Sequence, residues 1–279
     1  MEKRSGVMLV LLVVLLVAIV ALGGNYLAGK LIASGHFDTQ VKNRIFDGGV
    51  DDAVNARVLL TTRLNHEFRI SINGVHTRQY PNDLILYENL INEVQPDVII
   101  ETGTLAGGLT LYLSMVLDYL DKGGKIITVD IEPKPWEQTL KDMATATAPR
   151  KKLLEKITFV KGSSVAPDVV EQVAKLIPPN AKVLVMLDSL HTKDHVLKEM
   201  DAYSKFVNVG SYMVVNDTDL DGAIYGGAEM KGQMGEGEAY AVTAAINEWL
   251  PKNPNFVQDK SKEKYSISCV LNGILKRVK

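Results

Sequence analysis

A chain of 279 residues, 46% hydrophobic and 23% charged, is long enough for one large α/β domain plus an appendage. A formal net charge of −2 supplies no bulk basic field, so nucleic acid is not expected as a partner. Cys269 is the one cysteine and lies in an apolar run, which excludes an intrachain disulfide.

Gly6 to Gly23, GVMLVLLVVLLVAIVALG, contains no charged or strongly polar residue. It reaches the lower limit of roughly 17 residues for a helix that crosses a bilayer, and Lys3 and Arg4 precede it. The run is long for a signal peptide and a poor cleavage site follows. It therefore reads as an uncleaved transmembrane anchor over residues 1–24, with a cleaved signal peptide or a buried core helix as the alternatives. Lys3 and Arg4 favour a cytoplasmic N-terminus, against Lys30, Lys42 and Arg44 on the other side. Residues 25–80 read as a juxtamembrane stalk that ends in a hairpin at Asn73-Gly74. Residues 81–279 carry the main domain. Pro81 opens it with a helix whose Leu84, Leu86, Leu90 and Ile91 lie on or near one face.

The run Val98-Ile99-Ile100 then ends in Glu101 and passes through a loop with Gly103, Gly107 and Gly108 into an amphipathic helix, Leu109 to Leu120. Further strands are predicted at Lys125 to Asp130, Ile157 to Lys161, Lys182 to Asp188, Ser211 to Asn216 and Tyr265 to Leu271. Helices are predicted at Pro167 to Leu176, Thr192 to Phe206 and Glu238 to Leu250. Such alternation predicts a Rossmann-like, doubly wound α/β fold. Its sheet is mostly parallel, with an antiparallel edge from the late strands and the N-terminal transmembrane helix in front. Gly222 to Gly237 reads as a mobile loop over the site.

Ligands of such a sheet bind beyond the carboxyl ends of its strands, where polar residues collect here. The loop of Glu101, Thr102, Gly103, Thr104 and Gly107 is E-T-G-T-x-x-G-G rather than G-x-G-x-x-G. Glu101 is ill placed beside a pyrophosphate and suits the cationic sulfonium of S-adenosylmethionine (SAM). An acid in the position of Asp130 accepts hydrogen bonds from ribose hydroxyls. Asp188, Asn216 and Asp217 close adjacent strands, and an oxygen-only set suits Mg²⁺ or another hard divalent cation. His191 is placed to take a proton near that site. His191 and His195 have the i, i+4 spacing of zinc sites but lack the glutamate of H-E-x-x-H, so zinc is not expected.

The strings IIETGT-x-x-GG, ITVDIE, KGSSVAPDVVEQV, VLVMLDS-x-HTKDHV, GSYMVVNDT and NGILKRV, in order between Tyr80 and Val278, resemble the cephalosporin hydroxylase family, which includes rhamnosyl O-methyltransferases. The resemblance implies a SAM-dependent methyltransferase with bound Mg²⁺ held by Asp188 and the Asn216-Asp217 pair. Catechol O-methyltransferase is similar in this arrangement, with a Lys in the place of His191. On this reading Gly162, Ser163 and Ser164 border the adenine, and Asp188 adjoins the cofactor as well as the metal. The expected acceptor is a hydroxyl of a sugar or small natural product, lipid-linked acceptors included. The alternatives are a hydroxylase or monooxygenase, which the family name suggests, and a non-catalytic SAM-binding membrane scaffold. Because SAM is made in the cytosol, the catalytic domain is expected there, tethered to the membrane by residues 6–23. A homo-oligomer is left open.

Overall fold

A parallel strand covered by helices on both sides has no solvent face, so its sequence runs apolar without alternation. The computed structural model describes residues 70–121, 123–143, 148–220, 241–264 and 268–279. At its centre lie β3 (Val98–Thr102) and β6 (Val183–Leu187), buried at every position. β4 (Lys125–Asp130), β5 (Ile157–Lys161) and β7 (Tyr212–Val215) extend the same sheet. Two later strands, β8 (Phe256–Gln258) and β9 (Ile274–Arg277), complete the order β5-β4-β3-β6-β7-β9-β8. The first five are parallel, and β9 runs antiparallel to both β7 and β8.

Successive side chains of a strand point to opposite faces, and the core divides accordingly. Val98, Ile100, Val183, Val185 and Leu187 face α5 (Pro167–Leu176), α6 (Lys193–Tyr203) and α7 (Val242–Trp249). Ile99, Leu184 and Met186 face α1 (Pro81–Val94) and α2 (Gly108–Tyr119). Pro81 sits at the first turn of α1, where its missing N–H costs nothing, and Gln95 closes the helix in the left-handed region. The Asn73-Gly74 turn joins β1 (Ile70–Ile72) to β2 (Val75–Thr77), with φ of 52° and 85° at its two central residues. This hairpin packs on α2 so closely that a Cβ on Gly108 would lie 2.3 Å from the His76 carbonyl oxygen.

Two helices went unread in the sequence: α3 (Lys134–Met143) and α4 (Ala148–Glu155). α3 buries only Trp136, Thr139 and Met143, too thin a stripe to stand out from its polar surroundings. The last strand of the sheet begins at Ile274, after the expected Tyr265 to Leu271, of which residues 265–267 lie outside the described residues. Cys269, Val270 and Leu271 are buried like strand residues, yet they form a turn in which the Cys269 N–H donates to Asp83. Asn272 at φ 66° and Gly273 then reset the chain, and pairing begins at Ile274.

The membrane-spanning helix requires correction. Among the described residues no helix is long and apolar enough to cross a membrane. The longest, α1, has 14 residues and so extends roughly 21 Å, against roughly 30 Å of hydrocarbon. Residues 6–23 themselves lie outside the described residues, as do most of the expected stalk and the Gly222 to Gly237 loop. The transmembrane element, the membrane as partner and the membrane localisation are accordingly withdrawn.

Candidate active site

Asp188 follows β6, Asp217 follows β7, and the pairing of Leu187 with Val215 sets these strand ends side by side. His191 joins them from the loop before α6, where it is 8% exposed. One ligand atom from each of Asp188, His191 and Asp217 lies within 4.8 Å of the other two. The Nε2 of His191 is 3.0 Å from Asp217 Oδ2. Burial pushes the Asp188 carboxyl well above the usual range, and the nearby charges of Asp217, Glu101 and Glu199 add to that shift. A hydrogen bond from Gln79 opposes it. Carboxylates this close need a proton or a cation between them. Asp217 stands at φ 60°, in the left-handed region that Asp and Asn enter more readily than other residues.

Asn216, the third residue expected at the metal, has protein partners in the core. It is fully buried, its amide donates to the Leu187 carbonyl at 3.2 Å, and its oxygen accepts from the Tyr87 hydroxyl at 2.5 Å. Both residues lie beyond the end of β7 at Val215, and the left-handed backbone of Asp217, at φ 60°, sends its side chain a different way from that of Asn216. His195 also has protein partners of its own. His191 precedes α6, which starts at Lys193, so the two imidazoles do not share a helical face. His195 Nε2 lies 3.1 Å from Ser164 Oγ and 3.0 Å from Ser189 Oγ. Ser189 also donates to Glu199 at 2.8 Å. Burial raises the Glu199 carboxyl, and His195, Ser164 and Ser189 more than offset it, leaving it below the usual range.

The glycine loop is shaped by its own protein neighbours. A Cβ on Gly103 would meet the Asp188 carbonyl oxygen at 1.8 Å, and one on Gly107 the Trp136 ring at 2.4 Å. Gly162, at φ 147°, would meet Val169 at 2.5 Å. Thr102 is buried, and both its carbonyl and its hydroxyl accept from the Asp188 N–H. Thr104 bonds the Thr128 hydroxyl at 2.6 Å. Ser163 accepts the Ala166 N–H at 2.9 Å in the turn before α5. Asp130 accepts the N–H of Leu105 at 2.8 Å and that of Glu132 at 2.9 Å. A carboxylate has about four lone-pair sites, so capacity for two ribose hydroxyls remains. Leu105 and Ile131, 39% and 46% exposed, leave apolar surface on either side of Asp130. Ile131 drew no notice in the sequence; its position next to the acid at a strand end was the available signal.

Glu101 is fully enclosed. One oxygen accepts from Thr110 and Thr128, each at 2.6 Å, and the other is buried with no hydrogen-bond partner among the described residues. Burial raises this carboxyl from 4.5 to about 7, against the two threonine bonds. Between those values the unfolded chain has lost its proton while the folded chain keeps it, so folding stability falls as pH rises. The fall is on the order of 3 kcal/mol across this window. Thermal unfolding of the ligand-free protein from pH 4.5 to 8 is expected to show it, and Glu101→Gln is expected to reduce the slope, with Asp83, raised to about 6 by burial, and Asp188, raised by burial, supplying the remainder. A variant as pH-dependent as the wild type would show that another group carries the effect.

A seven-stranded sheet of this order, with helices on both faces and acids at the carboxyl ends of β4, β6 and β7, defines a class I methyltransferase fold. The chain belongs to the Rhamnosyl O-methyltransferase/CmcI family, which it matches over residues 65–278. A rhamnosyl O-methyltransferase of Mycobacterium tuberculosis (strain ATCC 25618 / H37Rv) is 30% identical over 150 residues, covering 53% of this chain and 57% of the relative. The chain thus spans little more than half the length of that relative. A rhamnosyl O-methyltransferase of Mycobacterium leprae (strain TN) is 26% identical over 206 residues, covering 73% of this chain and 81% of the relative. Among solved structures, the apo structure of CmcI-N160 aligns with a TM-score of 0.53 at 17% identity, over 75% of this chain and 76% of that one. The structure described as cmcI-D160 Mg-SAM aligns with a TM-score of 0.50 at 15% identity, over 75% and 77%.

Proposed function

We propose that the chain is a metal-assisted, SAM-dependent O-methyltransferase that acts on a hydroxyl of a small molecule, with sugar hydroxyls as the first acceptor class. The observation that carries this reading is the convergence of Asp188, His191 and Asp217 at the strand ends next to the Asp130 loop. Membership of the family and the rhamnosyl O-methyltransferase relatives support it. So does the cmcI structure described with Mg and SAM, as a likeness of fold.

The residues present fit both groups. Asp188 and Asp217 would hold a divalent cation through carboxylate oxygens, and the His191 Nε2, 3.0 Å from Asp217, would be its third protein ligand, in place of the proton-accepting role expected from the sequence. Two carboxylates and one imidazole suit Mn²⁺ as well as Mg²⁺. A bound cation of this kind supplies a Lewis acid that lowers the pKa of a coordinated hydroxyl. SAM supplies an already activated methyl group. Asp130 would hold the ribose, Leu105 and Ile131 would flank the adenine, and the Thr102–Leu105 loop would orient the methionine part. What the protein adds is alignment of hydroxyl and methyl. The hydroxylase alternative fits less well. A non-haem iron site takes two histidines and one carboxylate, and His195, the neighbouring imidazole, is engaged with Ser164 and Ser189.

Incubation with methyl-labelled SAM, Mg²⁺ or Mn²⁺ and a panel of rhamnosyl, other sugar and phenolic acceptors tests this reading. Label is expected on an acceptor oxygen, together with calorimetric binding of S-adenosylhomocysteine (SAH). A well-folded protein that does not bind SAH would end it.

A further inference from the structure

We propose that Gln79 is the positioning residue for the metal ligand Asp188, an inference that rests on the metal-site reading above. Gln79 lies in the short segment between β2 and α1, outside the main sheet. Its side-chain amide donates to Asp188 Oδ2 at 2.8 Å. Its carbonyl end lies 2.9 Å from the Tyr87 hydroxyl, whose one proton is divided between it and Asn216 Oδ1, and also accepts from the Cys269 thiol at 3.4 Å. Tyr87 belongs to α1 and is 1% exposed, so Gln79 is held from the core side and presents its donor outward to the carboxylate.

The segment that carries Gln79 is fixed at both ends. On one side β2 is pressed against the start of α2 at Gly108. On the other, the Tyr80 carbonyl accepts the N–H groups of Asp83 and Leu84 at the start of α1, and the Tyr80 hydroxyl donates to Asp219 at 3.0 Å. Gln79 itself is 4% exposed. A buried amide with both ends bonded has little rotational freedom, so the position of Asp188 Oδ2 is set by a residue that will not contact the metal. An amide suits this task. It donates to a carboxylate without adding charge, and it leaves the other oxygen of Asp188 for the cation. Partners of this kind hold ligands in the geometry a cation needs, and their loss costs about 10–100-fold in metal affinity.

Calorimetry with Mn²⁺ on the wild type, Gln79→Leu and Tyr87→Phe tests the inference, with SAH affinity and melting temperature measured alongside. Gln79→Leu keeps the bulk and removes the donor, and its Mn²⁺ affinity is expected to fall about 10–100-fold. Tyr87→Phe releases the far end of Gln79 and is expected to shift Mn²⁺ affinity the same way by less. SAH affinity is expected to stay within about twofold, because Asp130 and the Thr102–Leu105 loop, the proposed ribose and methionine contacts, belong to other elements. Excess Mn²⁺ is expected to restore turnover in Gln79→Leu, so the loss falls on the metal activation constant and not on kcat. Unchanged Mn²⁺ affinity in folded Gln79→Leu overturns the inference, as does a parallel loss of SAH affinity, which would make the residue structural. If Gln79→Leu does not fold, unchanged Mn²⁺ affinity in Tyr87→Phe overturns it. A wild type that binds no divalent cation overturns this inference and the metal reading together, whereas binding in the wild type with an indifferent Gln79 overturns this inference alone.

Discussion

Asp188→Ala is expected to abolish divalent-cation binding and methyl transfer while leaving SAH affinity close to that of the wild type. The cluster has three protein ligand atoms within 4.8 Å, and Asp188 is the one held on a second element by Gln79. Its loss leaves one carboxylate and one imidazole, too few for a cation that gives up water reluctantly, and a drop of at least about 100-fold in affinity is expected. Asp217→Ala is expected to do the same. EDTA treatment of the wild type should reproduce the loss of turnover, and added Mg²⁺ or Mn²⁺ should reverse it. His191→Ala separates two roles. As a ligand, its loss weakens metal binding; as a general base, it would leave metal binding intact and cost about 10²–10⁴ in rate, recoverable at higher pH. Metal titration of this variant, with a pH–rate profile, decides between them. If Asp188→Ala and EDTA both leave methyl transfer intact, the acids at these strand ends are caps and the metal has no part in the reaction.

Much of this site was legible in the chain because strand ends are sharply marked. VLVML before Asp188 and YMVV before Asn216 are apolar at every position, so the first polar residue after each is a site candidate. Which of two adjacent polar residues turns to the ligand depends here on the backbone beyond the strand, because β7 is over before either is reached. β7 ends at Val215, and it is Asp217, not Asn216, that meets His191. Gln79 could not be read at all, since 109 residues separate it from Asp188 and only the docking of the hairpin on α2 brings them together. Similarly, Cys269 to Leu271 read as a strand because they are apolar and buried, though their burial comes from a turn beneath Asp83. Burial is what an apolar run signals, and two kinds of backbone can satisfy it.

Gly103→Ala is expected to be the most damaging single-methyl change in the domain. The added Cβ would lie 1.8 Å from the carbonyl oxygen of Asp188, 2.6 Å from its carbonyl carbon and 3.1 Å from Ser189 Cα. All three are backbone atoms, so no rotamer change can relieve the contact. The Asp188 N–H is itself bonded to the Thr102 carbonyl at 3.0 Å, so relief requires parting β3 from the end of β6. Gly103 also stands at φ 87°, where any side chain is strained. Gly123→Ala isolates that second cost, because Gly123 stands at φ 67° with nothing within 4 Å of an added Cβ. The control is expected to lose about 1–2 kcal/mol. Gly103→Ala is expected to lose about 3–5 kcal/mol, which lowers the melting temperature by roughly 6–20 °C for a domain of this size. A second readout ties the strain to the site. Displacing the Asp188 backbone should weaken Mn²⁺ binding in Gly103→Ala and leave it unchanged in Gly123→Ala. Equal melting temperatures and equal Mn²⁺ affinities in the two variants would mean that the loop yields freely, and that the close approach of Gly103 to Asp188 does not hold the metal ligand in place.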